Sequence, residues 1–240
     1  CIMFWGHNPL VSSADGELAI VARRALNKGA VGIAIDPRRS ETAKKCDLWL
    51  PIRPGTDDAL ALAMIHVLIN EEIYDKEFVN KWTLGFEELK KHIIPYTPEW
   101  AEKITWIPAS DIVKAARIYA SHKPAILDWG LAIEQNCNSL QTVRAIAILR
   151  ALTGNIDIPG GDILGMHVIR SYPTLKNRLP VEMFKKRLGA DTYKLLGGWR
   201  SYMPSAHIPA LLKAMKTGDP YKVRALLIFG NNALTTIANP

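Results

Sequence analysis

Residues 30–58 read AVGIAIDPRRSETAKKCDLWLPIRPGTDD, and two short apolar runs within them decide the fold class. Ala30 to Ile35 is apolar throughout and stops at Asp36 and Pro37; Leu48 to Ile52 stops at Pro54 and Gly55. A strand with one wet face alternates apolar and polar residues, whereas a strand covered on both faces reads as a continuous apolar run. Upstream, Ile2 to Trp5 is a third such run, ended by Gly6. Between the first two strands Leu18, Val21, Ala22, Ala25 and Leu26 recur at helical spacing until Gly29, behind a cap-like Ser12 and Asp15. Downstream, Thr56 is placed to cap a helix with the stripe Leu60, Ala63, Met64, Val67 and Leu68. Buried strands alternating with amphipathic helices predict an α/β fold: a doubly wound, mostly parallel sheet with helices on both faces.

Residues 71–108 break this rhythm with Tyr74, Phe78, Trp82, Phe86, Tyr96, Trp100 and Trp106 among charges and prolines, which predicts a helical insertion anchored by aromatics. Ile112 to Tyr119 marks a further helix, Ala125 to Trp129 a fourth strand ended by Gly130, and Val143 to Leu152 another helix. Gly154, Pro159, Gly160 and Gly161 then punctuate the chain. Residues 1–153 are therefore expected to form one α/β domain. Residues 154–240 are expected to form a loop-rich crossover into part of a second α/β domain, whose strand is Val223 to Phe229.

Of the 240 residues, 48% are apolar and 22% charged, as in a folded globular protein rather than a disordered one. No apolar run approaches the roughly 20 residues of a membrane-spanning helix. The start at Cys1 and the stop at Pro240 read as the ends of a piece cut from a longer protein, so the compartment is left open. Lys and Arg outnumber Asp and Glu by 30 to 23, which favours an anionic partner. Nucleic acid fits poorly, because clusters such as Lys185, Lys186 and Arg187 carry no interleaved aromatics for base stacking. Cys1, Cys46 and Cys137 lie too far apart in sequence to suggest a metal-binding motif.

The beginning and end of the chain match one another. Met3-Phe4-Trp5-Gly6-His7-Asn8-Pro9-Leu10 aligns with Leu227-Ile228-Phe229-Gly230-Asn231-Asn232-Ala233-Leu234 at a constant offset of 224, and Ser12 aligns with Thr236. Each copy reads as an apolar run, Gly, any residue, Asn, then Leu and a hydroxyl. At the carboxyl end of a parallel strand such a turn suits phosphate: glycine brings the backbone close, asparagine offers an amide and the hydroxyl starts a helix. Taken alone, one copy is better read as a plain structural turn. Two copies suggest two equivalent half-sites for two like nucleotides.

Asp36 ends the second strand where an acidic residue commonly meets a ribose hydroxyl, and Arg38 stands ready for phosphate; a capped turn with solvated charges is the alternative. Asp57, after Arg53 and Gly55, suits the paired donors of a guanine edge, or simply the dipole of the following helix. Gly130 precedes the polar stretch Glu134, Gln135, Asn136 and Asn138. His7, His167 and His207 are isolated. No catalytic triad, P-loop or metal-ligand set is visible, so no catalytic or metal-binding residue is assigned.

With these residues in view, the chain resembles the molybdopterin oxidoreductases of the dimethyl sulfoxide reductase family. The segments that carry the likeness are WGHNPLVSS, AIDPRRSETAKKCDLWLPIRPGTDDALALAMIHVLI, RAIAILRALTGNIDIPGG and YKVRALLIFGNNALTT. The resemblance implies one Mo or W ion held by bis-molybdopterin guanine dinucleotide on two pseudo-symmetric domains. It implies that Gly6, His7, Asn8, Pro9, Asp36, Arg38, Arg53, Gly55 and Asp57 hold one nucleotide, with Gly130 and Gln135 beside it. Gly230 and Asn232 would open the other site, although Ala233 stands where the family commonly has proline. A 4Fe-4S cluster and the metal ligand would lie in earlier sequence. The parent would carry out two-electron redox chemistry on a small molecule, oxygen-atom or sulfur transfer, alongside an iron-sulfur electron-transfer subunit. Hydration of the acetylene hydratase type and a non-catalytic nucleotide-binding module are the alternatives. A nicotinamide dehydrogenase is disfavoured because the first loop lacks GxGxxG.

Overall fold

The computed structural model describes residues 1–12, 16–163, 180–193 and 206–236. Four strands, β1 (Ile2–Trp5), β2 (Gly32–Ile35), β3 (Leu48–Leu50) and β4 (Ile126–Trp129), form one sheet in the order β3-β2-β1-β4. Every pairing is parallel, with Trp5 opposite both Ile35 and Trp129. All four strands therefore end at one edge. Met3, Trp5, Ile33, Ile35 and Leu50 are buried on one face of the sheet, and Phe4 and Ala34, the alternate positions, are buried as well. Burial on both faces is what continuous apolar runs require.

The helices are α1 (Pro9–Ser12), α2 (Glu17–Asn27), α3 (Asp57–Asn70), α4 (Lys76–Trp82), α5 (Phe86–Ile93), α6 (Pro98–Thr105), α7 (Ala109–Ser121), α8 (Leu131–Glu134) and α9 (Ser139–Thr153). Helix α3 is the central one. Leu60, Ala61, Ala63, Met64, Ile65 and Leu68 are fully buried, so it is apolar nearly all round, packed between the sheet core and its helical neighbours. Burial of each such leucine, isoleucine or methionine stabilises by roughly 1.5–3 kcal/mol. Thr56 does not cap α3 as expected. Its hydroxyl donates instead to the Arg53 carbonyl at 2.7 Å and closes the preceding turn, while Asp57 and Asp58 supply negative charge to the first helical turn.

The insertion is helical, as the sequence predicts, and comprises α4, α5 and α6. Tyr74 packs on Phe86 and Tyr96 on Trp100 at ring separations of 4.8 and 4.9 Å, so these aromatics anchor it. Trp82 and Trp106 do not; both are exposed.

The chain divides into two compact units, 1–166 and 167–240, rather than at Gly154. Residues 154–163 stay with the first unit because they fasten its sheet edge. Asp162 accepts from the Leu127 N–H of β4 and pairs with Arg150 at 3.0 Å, and Arg150 in turn donates to the Leu127 carbonyl. Asn155, fully buried, accepts from the Ala125 N–H at 2.9 Å. The glycines and proline that look like a linker form a tight return that satisfies an edge strand.

The second unit contains α10 (Val181–Lys185), α11 (Ile208–Thr217) and α12 (Ala233–Thr236), with Phe184, Leu188, Ala190 and Ala214 as its small core. The buried strand expected at Val223 to Phe229 is absent: residues 222–229 form no strand, and Leu227 and Phe229 are exposed. The described residues of this unit include no other strand, and a lone strand leaves its backbone groups unpaired.

Candidate functional site

In an open parallel sheet, ligands settle beyond the carboxyl ends of the strands, where successive connections leave in opposite directions. Here that point lies between β1 and β4. The chain runs from β1 to β2 to β3 on one side and returns to β4 on the other. A crevice of about 530 Å³ sits there, lined by Gly6, His7, Asn8 and Ser12 after β1, Asp36 and Arg38 after β2, and residues 129–132 with Glu134 after β4.

Two glycines make the crevice. Gly130 donates its N–H to the Trp5 carbonyl at 3.0 Å, and a Cβ added at Gly130 would lie 2.3 Å from the Gly6 carbonyl oxygen. Gly6 has φ +59°, and a Cβ there would meet the Ala132 methyl at 2.9 Å. The two loops thus approach closely enough that only glycine fits either position.

Asn8 locks the first loop to the second. Its side-chain oxygen accepts from the Thr42 hydroxyl at 2.7 Å and the Thr42 N–H at 3.2 Å, while Leu10 N–H donates to the Thr42 hydroxyl at 3.3 Å. Pro9 is buried at the start of α1. His7 Nδ1 lies 2.6 Å from a carboxylate oxygen of Asp128, which orients the ring. Asp36 accepts from the Arg38 N–H at 2.8 Å, an Asx-type turn that leaves the Arg38 guanidinium exposed at the mouth. The Trp129 indole donates to Glu134 at 2.9 Å and carries the Arg150 guanidinium 4.2 Å above its ring.

Arg53, Gly55 and Asp57 lie at the same sheet edge but beyond β3, two strands from β1, and do not line this crevice. Asp57 is buried and accepts from the Trp5 indole N–H at 2.8 Å; burial raises its carboxyl pKa, an effect the Trp5 bond partly offsets. Its second oxygen accepts from no other side chain among the described residues. Gln135 is exposed after α8 and is not part of the lining.

The second copy of the repeat keeps the turn and not the strand. Gly230 has φ +58° against +59° at Gly6. Thr235 N–H donates to the Asn232 carbonyl at 3.0 Å just as Val11 donates to Asn8 at 3.1 Å, and α12 begins 224 residues after α1. Among the described residues, a Cβ on Gly230 would meet nothing within 4 Å, so none of them makes a contact corresponding to that of Gly6 with Gly130.

Several residues that line the crevice or hold its lining in place are invisible to sequence reasoning. Asp128 and Trp129 belong to a strand, Thr42 to a connection, and nothing in their spacing ties them to His7 or Asn8. The second unit has a larger cavity of about 730 Å³, lined by Lys185, Lys186, Lys213, Tyr193 and Tyr221 among others, but among the described residues no strand ends at it.

The chemistry of the first crevice suits an anionic ligand that carries hydroxyl groups. It offers a cradle that a side chain on Gly6 or Gly130 would obstruct, a guanidinium for phosphate and a carboxylate for a ribose. Residues 1–239 match the family model for molybdopterin oxidoreductase.

The chain belongs to the molybdopterin oxidoreductase family.

Among curated relatives, acetylene hydratase of Syntrophotalea acetylenica is 38% identical over 262 residues, covering 100% of this chain and 36% of that protein. Formate dehydrogenase H of Escherichia coli is 42% identical over 256 residues, covering 99% and 34%. The solved acetylene hydratase from Pelobacter acetylenicus superposes with a TM-score of 0.68 at 34% identity, over 93% of this chain and 34% of that one. The chain thus spans about a third of the length of these relatives.

Proposed function

We propose that this chain grips the guanosine end of one of the two pterin dinucleotides in a larger molybdenum or tungsten enzyme of the bis-molybdopterin guanine dinucleotide type. The observation that carries the reading is the meeting of Gly6–Asn8, Asp36–Arg38 and Gly130 at the β1/β4 switch point, in a chain of this family. Gly6 and Gly130 bring backbone to the phosphates and Arg38 offsets their charge. Asp36 accepts from a ribose hydroxyl. Asp57, pinned by Trp5 through one oxygen, presents the other to the guanine donors, and Arg53 and Gly55 flank it. His7, fixed by Asp128, directs its second ring nitrogen toward the ligand.

Residues 167–240 would belong to a second, pseudo-symmetric domain, in which Gly230 and Asn232 open a half-site of the same kind. When bound, the cofactor supplies two-electron redox chemistry, oxygen-atom or sulfur transfer on a small molecule; a 4Fe-4S cluster and an iron-sulfur partner subunit would carry the electrons. Hydration is the second reading. It is favoured by the likeness to acetylene hydratase, yet formate dehydrogenase H is as similar over the same residues. A segment shared so evenly by relatives named for different reactions fits cofactor holding better than choice of reaction.

The test is metal and pterin content of the intact protein. One Mo or W with two pterins and two guanosine nucleotides is expected, and Asp36→Ala with Arg38→Ala should lower nucleotide and metal together. A protein purified without pterin, or the double variant with full pterin, would count against the proposal.

A further inference from the structure

Helix α6 is closed by the residue after it, Trp106, whose backbone is left-handed, with φ 64° and ψ 11°. That position at a helix C-terminus usually goes to glycine, and a bulky residue there is an outlier. Burial of the ring does not compensate, because Trp106 is 67% exposed. The Arg53 guanidinium lies 4.9 Å from the centre of the indole. The two residues are also tied through the backbone: Arg53 N–H donates to the Thr105 carbonyl at 2.9 Å. Thr105 is buried, and its hydroxyl donates to Ala101 at 2.8 Å and accepts from the Ile107 N–H at 3.2 Å, so the turn is held on both sides.

We infer that Trp106, steadied by Arg53, is the stacking surface for the purine of the nucleotide proposed above. The inference rests on that reading and adds a residue to it. Arg53 follows β3 at the same sheet edge as Gly6, Asp36 and Gly130, and it stands four residues before Asp57. A flat indole beside a guanidinium offers a π surface for a base and a positive charge for the phosphates next to it. Gly55, between Arg53 and Asp57, has no described atom within 4 Å of where a Cβ would point, so that turn is open. Trp106 is therefore a positioning residue that favours a purine tail over a base-free pyrophosphate ligand.

Calorimetric titration of the 240-residue chain with guanosine diphosphate, and separately with inorganic pyrophosphate, tests this. Trp106→Gly suits the left-handed backbone and should melt no lower than the parent chain. It should weaken guanosine diphosphate about tenfold, the scale of one lost base–aromatic stack, and leave pyrophosphate unchanged. Trp106→Phe, which keeps a π face, should retain most of the affinity. Tight guanosine diphosphate binding by Trp106→Gly, or an equal loss for both ligands, overturns the stacking role while leaving the crevice intact. A parent chain that binds neither ligand overturns the functional reading and this inference together.

Discussion

A methyl group on Gly130 would lie 2.3 Å from the Gly6 carbonyl oxygen, so the loops after β4 and β1 are held together by an absence of side chains. Gly130→Ala should cost about 2–3 kcal/mol, as overpacking does in a fitted core. Gly6→Ala adds a left-handed backbone to a 2.9 Å collision and should cost at least as much. Gly55 shares the positive φ, at 80°, but has open space, so Gly55→Ala should cost only about 1–2 kcal/mol. Urea denaturation of the three variants gives the ranking; equal losses at all three would mean that backbone conformation matters and the loop contact does not.

The Trp5–Asp57 bond separates a structural role from a ligand role. Asp57→Ala leaves the buried indole N–H without an acceptor and should destabilise by about 1–3 kcal/mol. Asp57→Asn keeps an acceptor for Trp5 but turns the other oxygen into a donor, so the fold should persist while guanosine binding falls.

Acid titration of stability gives the same residue a signature. Burial raises the folded-state pKa of Asp57 above its unfolded value, so the native state binds the extra proton between the two values. Its contribution is most favourable below the unfolded pKa and is lost as pH rises through the folded one. Asp57→Asn should flatten that segment of the stability–pH curve and gain on the parent chain above it, measured as midpoint shifts across the acid range.

Arg150 and Asp162 close the free edge of β4, with side chains only 20% and 12% exposed. Removing one partner leaves the other charge buried. Arg150→Ala or Asp162→Ala should each destabilise by about 3–5 kcal/mol, and the double variant by less than their sum. Strict additivity in that cycle would show the pair to be uncoupled.

Cys46 is half-buried against Gly32, and burial pushes its thiol up to about 12, whereas Cys137 is exposed. Near neutral pH a maleimide should modify Cys137 well before Cys46. Peptide mapping of the singly labelled chain reads this directly.

β1 and β2 are legible in the sequence because both-faced burial writes itself as continuous apolar residues, and β3 and β4 are legible as short apolar-rich runs closed by Pro or Gly, although Asp128 interrupts the last. The second Gly-x-Asn turn is legible for a related reason: glycine at positive φ and the turn after it are local, and they recur at Gly230. Strand pairing and edge sealing are not local properties. Val223 to Phe229 has the composition of a strand but no partner among the described residues, while Gly154 to Gly161 has the composition of a linker and yet seals an edge through Asp162. In the same way His7 meets Asp128, and Asn8 meets Thr42, across separations of 121 and 34 residues that no motif encodes. Trp106 reads in sequence as one more anchor aromatic, since exposure leaves no trace there.

The central claim, that the β1/β4 crevice receives a nucleotide, is tested most directly by amide chemical-shift mapping of the isotopically labelled chain with guanosine diphosphate. Shifts concentrated at Gly6, Asn8, Asp36, Arg38 and Gly130 are the expected result. Shifts confined to the lysine-lined cavity around Lys186 and Lys213, with the β1 and β4 loops silent, would contradict it.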